Sequence, residues 1–368
     1  MMKAGERNEL IVTLMEGYIQ KANDGEYTME DDFKPDLDGI FESKDFGIRE
    51  VVLTSLIGKM VDEDFTPASD FYACSPRAIF EGPIRNTLLK YSIPNKKSGP
   101  LNIAKAQSKL DDAWAEDRRD KVAARCAVRL IAMIESETQD DLENFAIALH
   151  RKFLDEANRI EDLAIEIADE EDPTYLYAIC KELIDEVPDG GNTPQRIFGL
   201  ILHNYHEFLD SDIVVTGYED SASTTSTTSK KPGDVNEELK DGTVLNVYEI
   251  TVKKFDENRM RDSHDTVNIY NEEHETALDE IIVVCRRQDC HPEMMTSESN
   301  WHLGRYEYRG MTYYFVDIYE WIYSKLIEMN GTARNSFHTD LSTYIDHPNT
   351  SEALKVHWVN LHSRTEED

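Results

Sequence analysis

Residues 230–256 read KKPGDVNEELKDGTVLNVYEITVKKFD, and the interpretation of the second half of the chain depends on this stretch. Asp234 follows the turn-forming pair Pro232-Gly233, and Asp241-Gly242 is a strong signal for a β-hairpin turn. The residues after that turn are rich in β-branched and aromatic side chains, which favour a strand. The stretch therefore predicts a hairpin whose first strand starts beside Asp234.

Side-chain alternation assigns three polar residues of the second strand to one face. Positions 249, 251 and 253 point the same way because successive side chains of a strand alternate between its faces. That face carries Glu249, Thr251 and Lys253, and the hairpin would bring Asp234 beside Glu249. A surface ladder of salt bridges on an exposed hairpin is the alternative interpretation of the same residues.

Paired carboxylates in this position indicate a metal site. Two adjacent carboxylates repel each other least when a divalent cation lies between them, and hard oxygen ligands suit Mg²⁺. Such an ion can polarise a phosphoryl oxygen and lower the pKa of a bound water, and a nearby lysine would stabilise the developing charge. We therefore predict Asp234 and Glu249 as Mg²⁺ ligands, and Asp234, Glu249, Thr251 and Lys253 (or Lys254) as catalytic residues.

The order of a Pro-Gly-Asp turn, a strand and then a glutamate followed by a lysine resembles the PD-(D/E)xK superfamily of restriction endonucleases. There an Asp and a (Glu/Asp)-x-Lys motif on adjacent strands bind Mg²⁺. By position, Asp234 matches the first acid and Glu249 the second, whereas Thr251 stands where the motif has its lysine. The resemblance implies that Lys253 acts from two residues further along, and that the products carry 5′-phosphate and 3′-hydroxyl ends.

Other stretches are similar to a family of restriction-type proteins that accompany cytosine methyltransferases. They read DGIFESKDFGIREVVL at 38–53, SPRAIFEGPIR at 75–85 and KKSGPLNIAKA at 96–106. This second resemblance covers most of the chain. It implies double-stranded DNA as substrate and a DNA methyltransferase as functional partner.

Charge is distributed unevenly along the 368 residues. The formal net charge of −34 argues against a nucleic-acid partner, but residues 77–129 hold twelve Lys or Arg and six Asp or Glu, a local balance of +6. A mixed, solvated helix surface is the alternative explanation. We predict DNA contacts at Arg77, Arg85, Lys96, Lys97, Ser98, Arg118, Arg119, Lys230 and Lys231.

Composition and periodicity divide the chain into four segments. Residues 1–37 form a helix and linker, and residues 38–136 a helical module with a helix-turn-helix-like pair of short helices around a basic loop. Residues 137–210 form a helical scaffold or dimerisation surface, with periodicity running to about residue 170 and Thr193 as a later N-cap. Residues 211–368 alternate strand and helix. The predicted fold class is α/β, a helical first half followed by a mixed-sheet PD-(D/E)xK nuclease core.

Several classes of protein are disfavoured. The five scattered cysteines and the lack of an apolar signal segment predict reduced thiols in a cytoplasmic protein. No run approaches the roughly 18 apolar residues of a membrane span, and no glycine-rich phosphate loop is present. Cys285, Cys290 and His291 lie close in sequence, but a structural zinc needs four ligands.

Together these observations predict a Mg²⁺-dependent type II restriction endonuclease acting as a homodimer. The alternative is a non-catalytic DNA-binding or interaction protein that uses the helix-turn-helix-like module.

Overall fold

The computed structural model describes residues 3–222 and 231–365. The chain forms two compact units, Met1–Asp162 and Leu163–Asp368, where the sequence suggested four segments. The helix expected to open the third segment belongs to the first unit, because its apolar face packs on the N-terminal helix. Among the described residues, no helix has the length and apolarity needed to cross a bilayer.

The first unit is helical. Its helices are α1 (Ala4–Asp24), α2 (Lys34–Glu42), α3 (Phe46–Val61), α4 (Pro76–Ile79), α5 (Arg85–Lys90), α6 (Gly99–Ala104), α7 (Asp112–Glu116), α8 (Lys121–Ser136) and α9 (Glu143–Glu161). A 3₁₀ turn covers Phe71–Cys74, and a π-helical turn at Phe80–Ile84 joins α4 to α5 around Pro83. The short helices predicted around the basic loop are α5 and α6.

Helix α3 is the centre of this unit. Every residue from Gly47 to Lys59 is buried, which fits a helix that is surrounded by others rather than lying on a surface. Three of its buried residues are charged, Arg49, Glu50 and Lys59. Arg49 forms an ion pair with Glu156 of α9, with 2.6 Å between Nη2 and Oε2, and its guanidinium lies 3.9 Å from the Phe46 ring centre.

The described residues of the second unit form one six-stranded mixed sheet. Its strands are β1 (Ile213–Thr216), β2 (Val235–Leu239), β3 (Val244–Thr251), β4 (Glu280–Cys285), β5 (His302–Tyr308) and β6 (Met311–Asp317), in the order β1-β2-β3-β4-β6-β5. Strands β1, β2 and β3 pair antiparallel, β4 pairs parallel with β3 and β6, and β5 pairs antiparallel with β6. The predicted α/β class with a helical first half and a mixed sheet is confirmed.

Helices cover both faces of the sheet. They are α10 (Pro173–Glu186), α11 (Asn192–Phe208), α12 (Glu257–His274), α13 (Ile318–Glu328), α14 (Gly331–Asp346) and α15 (Glu352–Thr365), with 3₁₀ turns at Asp189–Gly191, Arg287–Asp289 and Pro292–Met294. Helix α12 lies on one face and forms the crossover between the parallel strands β3 and β4. Helices α10, α11, α13, α14 and α15 pack on the other face.

Two predicted helix limits are wrong. Helix α9 ends at Glu161, so the apolar periodicity to about residue 170 does not continue one helix, and Ile165 and Ile167 pack in the core of the second unit instead. Helix α11 begins after Gly191, whereas Thr193 lies inside it and donates its hydroxyl to the carbonyl of Val187. In both places tertiary contacts outweigh the local pattern.

All five cysteines are free thiols, and Cys126, Cys180, Cys285 and Cys290 are buried. This agrees with the expected reduced state.

Candidate functional site

Asp234 and Glu249 lie opposite each other on the β2–β3 hairpin. Val235 pairs with Tyr248 in the antiparallel register, which makes Asp234 and Glu249 the next facing positions. Oδ2 of Asp234 accepts a hydrogen bond of 2.9 Å from the backbone N–H of Ile250. This bond fixes the Asp234 carboxyl against β3, so the structure brings together the two acids that the hairpin pattern suggested.

Two glycines allow this close approach. A Cβ on Gly233 would lie 2.6 Å from Cγ1 of Val247 and 2.8 Å from the carbonyl oxygen of Tyr248. Gly217 has a φ of +91°, and a Cβ there would lie 2.4 Å from the carbonyl oxygen of Asp234. The turn before β2 therefore rests directly on β3, and Pro232-Gly233 is the sequence signal for it.

A buried amide of α11 holds the same turn from behind. Nε2 of Gln195 donates to the carbonyl of Gly217 at 3.0 Å and lies 3.4 Å from the carbonyl of Asp234. Gln195 is 4% exposed. Helix α11 thus contributes a neutral positioning residue here.

Burial changes the protonation of both carboxyls. Desolvation raises the pKa of Asp234, and the bond from Ile250 and the charge of Arg259 oppose this rise. Desolvation raises the pKa of Glu249 well above its usual value, and the neighbouring charge of Asp234 raises it further. Two charged carboxylates are therefore unfavourable here without a bound proton or cation.

Helix α12 brings a cation to the pair. Arg259 donates from Nη1 to the hydroxyl of Thr251, and its charge lowers the pKa of both carboxyls. Its guanidinium also lies 5.6 Å from the ring centre of Phe255. From the sequence, the cation of the site is expected on β3 as Lys253, and Arg259 is not among the predicted site residues.

The N-cap of α12 is the sequence feature that could have identified Arg259 as a site residue. Oδ1 of Asp256 accepts from the backbone N–H groups of Asn258 and Arg259, so the helix begins at Glu257. An Asp at an N-cap places the residue three positions on in the first turn. The stretch RDSHDTVNIYNEEHETALDE predicts a helix that begins only at about Arg261, which leaves Arg259 in a loop.

Lys253 does not lie on the strand. Strand β3 ends at Thr251, so the alternation that assigned Lys253 to the face of Glu249 stops short of it. The Thr251 hydroxyl accepts from the N–H of Lys253 and donates to the carbonyl of the same residue, both at 3.1 Å. Thr251 is 3% exposed, whereas the side chains of Lys253 and Lys254 are exposed to solvent.

The basic residues proposed for DNA contact differ in their surroundings. Lys230 lies outside the described residues, and Lys231 forms an ion pair of 2.8 Å with Asp220. Arg77 lies 3.4 Å from Glu81 and is 72% exposed, and the Ser98 hydroxyl donates to Glu81.

Three of these residues line one pocket of the first unit, namely Lys96, Arg118 and Arg119. Arg118 is 7% exposed, whereas Lys97 and Arg119 are exposed. Arg85 donates from Nε to Oδ1 of Asn95 at 3.1 Å. The predicted contacts of this unit that are exposed to solvent are thus Arg77, Lys96, Lys97 and Arg119.

Within residues 3–222 and 231–365, no group of three or more His, Cys, Asp or Glu side chains is arranged to hold a metal ion. The candidate site is therefore a pair of carboxyls with an arginine beside them. No family model matches the chain, and no curated protein has a significantly similar sequence. Fold and site together define the class: an α/β protein with a helical first unit and a carboxyl pair on a mixed sheet.

Proposed function

We propose that this protein is a Mg²⁺-dependent endodeoxyribonuclease of the restriction type, with its active site at Asp234 and Glu249. The observation that carries the proposal is the facing pair of partly buried carboxyls with Arg259 beside it. Double-stranded DNA is the substrate, a homodimer would cut both strands, and a DNA methyltransferase is the functional partner. The resemblance of the hairpin to the PD-(D/E)xK superfamily supports this choice over other metal-dependent hydrolases.

The carboxyl pair has free oxygen atoms of the kind that Mg²⁺ binds. Asp234 uses Oδ2 for the bond from Ile250, which leaves Oδ1 available. Glu249 has no hydrogen-bond or ion-pair partner in the described part of the chain. Mg²⁺ is commonly held by one or two carboxylates and completes its shell with waters and substrate phosphate. When bound, it would neutralise the carboxylates and lower the pKa of a water.

Arg259 would bind phosphate rather than move a proton. A guanidinium stays charged in proteins, so it cannot act as a general base. Its planar group of N–H donors matches the oxygen atoms of a phosphate. Thr251 fixes the position of this group, and we assign to Arg259 the charge-stabilising role that the superfamily gives to its lysine.

The exposed cations of both units would position the DNA backbone. Lys253 and Lys254 lie in the chain just after β3, and Lys97 and Arg119 lie in the basic segment 77–129. Contacts of this kind fix orientation on the duplex and carry little sequence information.

Cleavage assays with matched variants test the proposal. Unmethylated and methylated plasmid or phage DNA is incubated with Mg²⁺ or with EDTA and the wild-type protein, Asp234→Asn, Glu249→Gln or Glu273→Gln. Glu273 is an exposed carboxylate of α12 and serves as the charge-matched control. We expect Mg²⁺-dependent fragments from the wild type and the control, and a loss of more than about 100-fold in the other two.

The outcomes separate the claims. Absence of Mg²⁺-dependent fragments from every DNA would overturn the nuclease proposal. Fragments that persist in both site variants would place the active site elsewhere.

A non-catalytic DNA-binding protein is the second candidate. The observation that favours it is the pair of exposed lysines, Lys96 and Lys97, in the loop between the short helices α5 and α6. This function predicts a salt-sensitive gel shift that Lys97→Glu weakens, with no cleavage under any condition.

A further inference from the structure

A pocket of about 220 Å³ lies in the first unit, between the start of α3, the α6 segment and the turn at 117–120. One water needs roughly 10–15 Å³ of such space, so the pocket has room for a ligand much larger than a single water. The volume suits a small organic molecule.

The charges that line the pocket leave a positive excess. Of its three carboxylates, Asp45 accepts from Nζ of Lys96 at 3.0 Å, and Asp120 accepts from the Ser43 hydroxyl and caps α8. The side chains of Lys105 and Arg119 have no hydrogen-bond or ion-pair partner among residues 3–222 and 231–365. The pocket is therefore suited to an anion.

Arg118 is a fixed donor at this pocket. It is 7% exposed, and it donates from Nε to the carbonyl of Trp114 at 3.2 Å and from Nη1 to the carbonyl of Ile103 at 2.6 Å. Its Nη2 has no bond to any described residue. A guanidinium held by two carbonyls presents its remaining donors with little loss of conformational freedom, which favours a phosphate ligand.

A buried carboxyl supports the wall of the pocket. Glu50 is 0% exposed, its Oε1 accepts from the N–H of Lys96 at 2.6 Å, and its Oε2 has no described partner. A Cβ on Gly99 would lie 1.4 Å from Oε2, so the segment 96–99 rests directly on this side chain. Burial raises the pKa of Glu50 to about 8, which keeps it mostly neutral at pH 7 and leaves the positive excess intact.

We propose that this pocket binds a single nucleotide, with its phosphate on Arg118, Lys105 and Arg119. Asn102 and Asp117, two exposed lining residues, supply the amide and carboxylate that a base edge can hydrogen-bond. The nucleotide is either free or extruded from a DNA strand. Binding of an extruded nucleotide rests on the proposed nuclease function, whereas binding of a free nucleotide does not.

Binding measurements without cleavage test this inference. The full chain carrying Glu249→Gln, in EDTA, is titrated by calorimetry with each of the four deoxynucleoside 5′-monophosphates and with inorganic phosphate. A short duplex that carries 2-aminopurine, whose fluorescence rises when it unstacks, provides the DNA arm. The same titrations use Lys105→Glu/Arg119→Glu and, as control, Lys34→Glu, an exposed lysine of α2 outside the pocket.

We expect at least one monophosphate to bind more tightly than phosphate, or 2-aminopurine fluorescence to rise on DNA binding. The double variant should weaken that signal by more than about tenfold, since two phosphate contacts are lost, while Lys34→Glu leaves it unchanged. A melting temperature near that of the wild type checks that the variant is folded.

The proposal is overturned if no monophosphate binds more tightly than phosphate and 2-aminopurine fluorescence does not rise. It is also overturned if the double variant gives the same signal as the wild type. Because every titration uses EDTA and the Glu249→Gln background, failure here is distinct from failure of the nuclease proposal, which depends on the fragments described above.

Discussion

At the scale of single residues, Arg259 and Thr251 determine what the carboxyl pair can do. Thr251 stands at the lysine position of the PD-(D/E)xK motif, and its side chain is too short to contact a phosphate. Its hydroxyl instead accepts a hydrogen bond from Arg259 and fixes the position of the guanidinium. Because Arg259 lowers the pKa of Asp234 and Glu249, it favours the charged form that binds a metal. The cation of the site thus has both an electrostatic and a substrate-binding role.

Substitutions of Arg259 test its electrostatic and substrate-binding roles. Arg259→Ala should reduce cleavage about 100-fold or more, because a phosphate contact and a charge are both lost. Arg259→Lys should recover part of this activity, since the charge returns without the planar donor group. Initial rates over a range of Mg²⁺ concentrations measure both effects. Equal rates in the wild type and Arg259→Ala would exclude Arg259 from the site.

Glu50 predicts a specific dependence of stability on pH. Desolvation raises its pKa to about 8, against the charges of Arg49 and Lys96 that lower it, while Asp45 raises it further. The folded state then holds a proton that the unfolded state releases above about pH 4.3. The contribution of neutral Glu50 to the free energy of unfolding is fully present below about pH 4.3. It is lost as the pH rises toward 8.

Glu50→Gln should remove this loss. The free energy of unfolding of the variant, minus that of the wild type, should increase between pH 5 and pH 8 by up to about 1.4 kcal/mol per pH unit. Denaturant titrations at three pH values give this difference, in which the other titrating groups largely cancel. A constant difference would mean that Glu50 ionises as an ordinary surface glutamate does.

At the scale of elements, the sequence predicts those whose signals are local. The Asp-Gly turn and period-two pattern predict the β2–β3 hairpin. The continuous apolar run IIVVC at 281–285 is typical of a buried strand, and it forms β4, which is paired on both sides. The predicted end of α9 and the predicted starts of α11 and α12 are wrong. Ile165 and Ile167 keep helical spacing with α9 but pack in another core, and no window of sequence contains that information.

Some residues of the candidate site could likewise be predicted from local sequence, and others could not. Asp234 and Glu249 could be paired from the turn and the register, since both are properties of one hairpin. Arg259 reaches them from α12 and Gln195 supports them from α11. Contacts between elements distant in sequence depend on how the helices pack on the sheet, so they could not be predicted.

The contact between α3 and α6 depends on a glycine. Gly99→Ala places a methyl group against Glu50 and should lower the free energy of unfolding by about 1–3 kcal/mol. Gly17→Ala is the matched control, because it lies inside α1 with nothing within 4 Å and should stabilise by about 0.5–1 kcal/mol. Urea titrations measure both, and a neutral Gly99→Ala would show that the segment 96–99 can move away.

At the scale of the whole molecule, each unit has its own hydrophobic core. Among the described residues, the first core draws only on residues between Ile11 and Ala157, and the other two only on residues between Ile165 and Leu361. Compact units with separate cores can in principle unfold separately. Damage confined to the first unit should then leave the carboxyl pair in place.

Arg49→Ala tests this independence. It removes the nearer of the two arginines that pair with the buried Glu156, and it removes the cation over Phe46. We expect it to destabilise the first unit by up to about 3–5 kcal/mol. Arg151→Ala is the control, because Arg151 pairs with Asp155 on the surface of the same α9 and should cost less than about 1 kcal/mol. Hydrogen exchange followed by mass spectrometry should show faster exchange in peptides of residues 3–162 of Arg49→Ala, with those of 231–365 unchanged. Equal acceleration in both sets of peptides would mean that the two units unfold as one cooperative structure, and that the carboxyl pair depends on the helical unit for its stability.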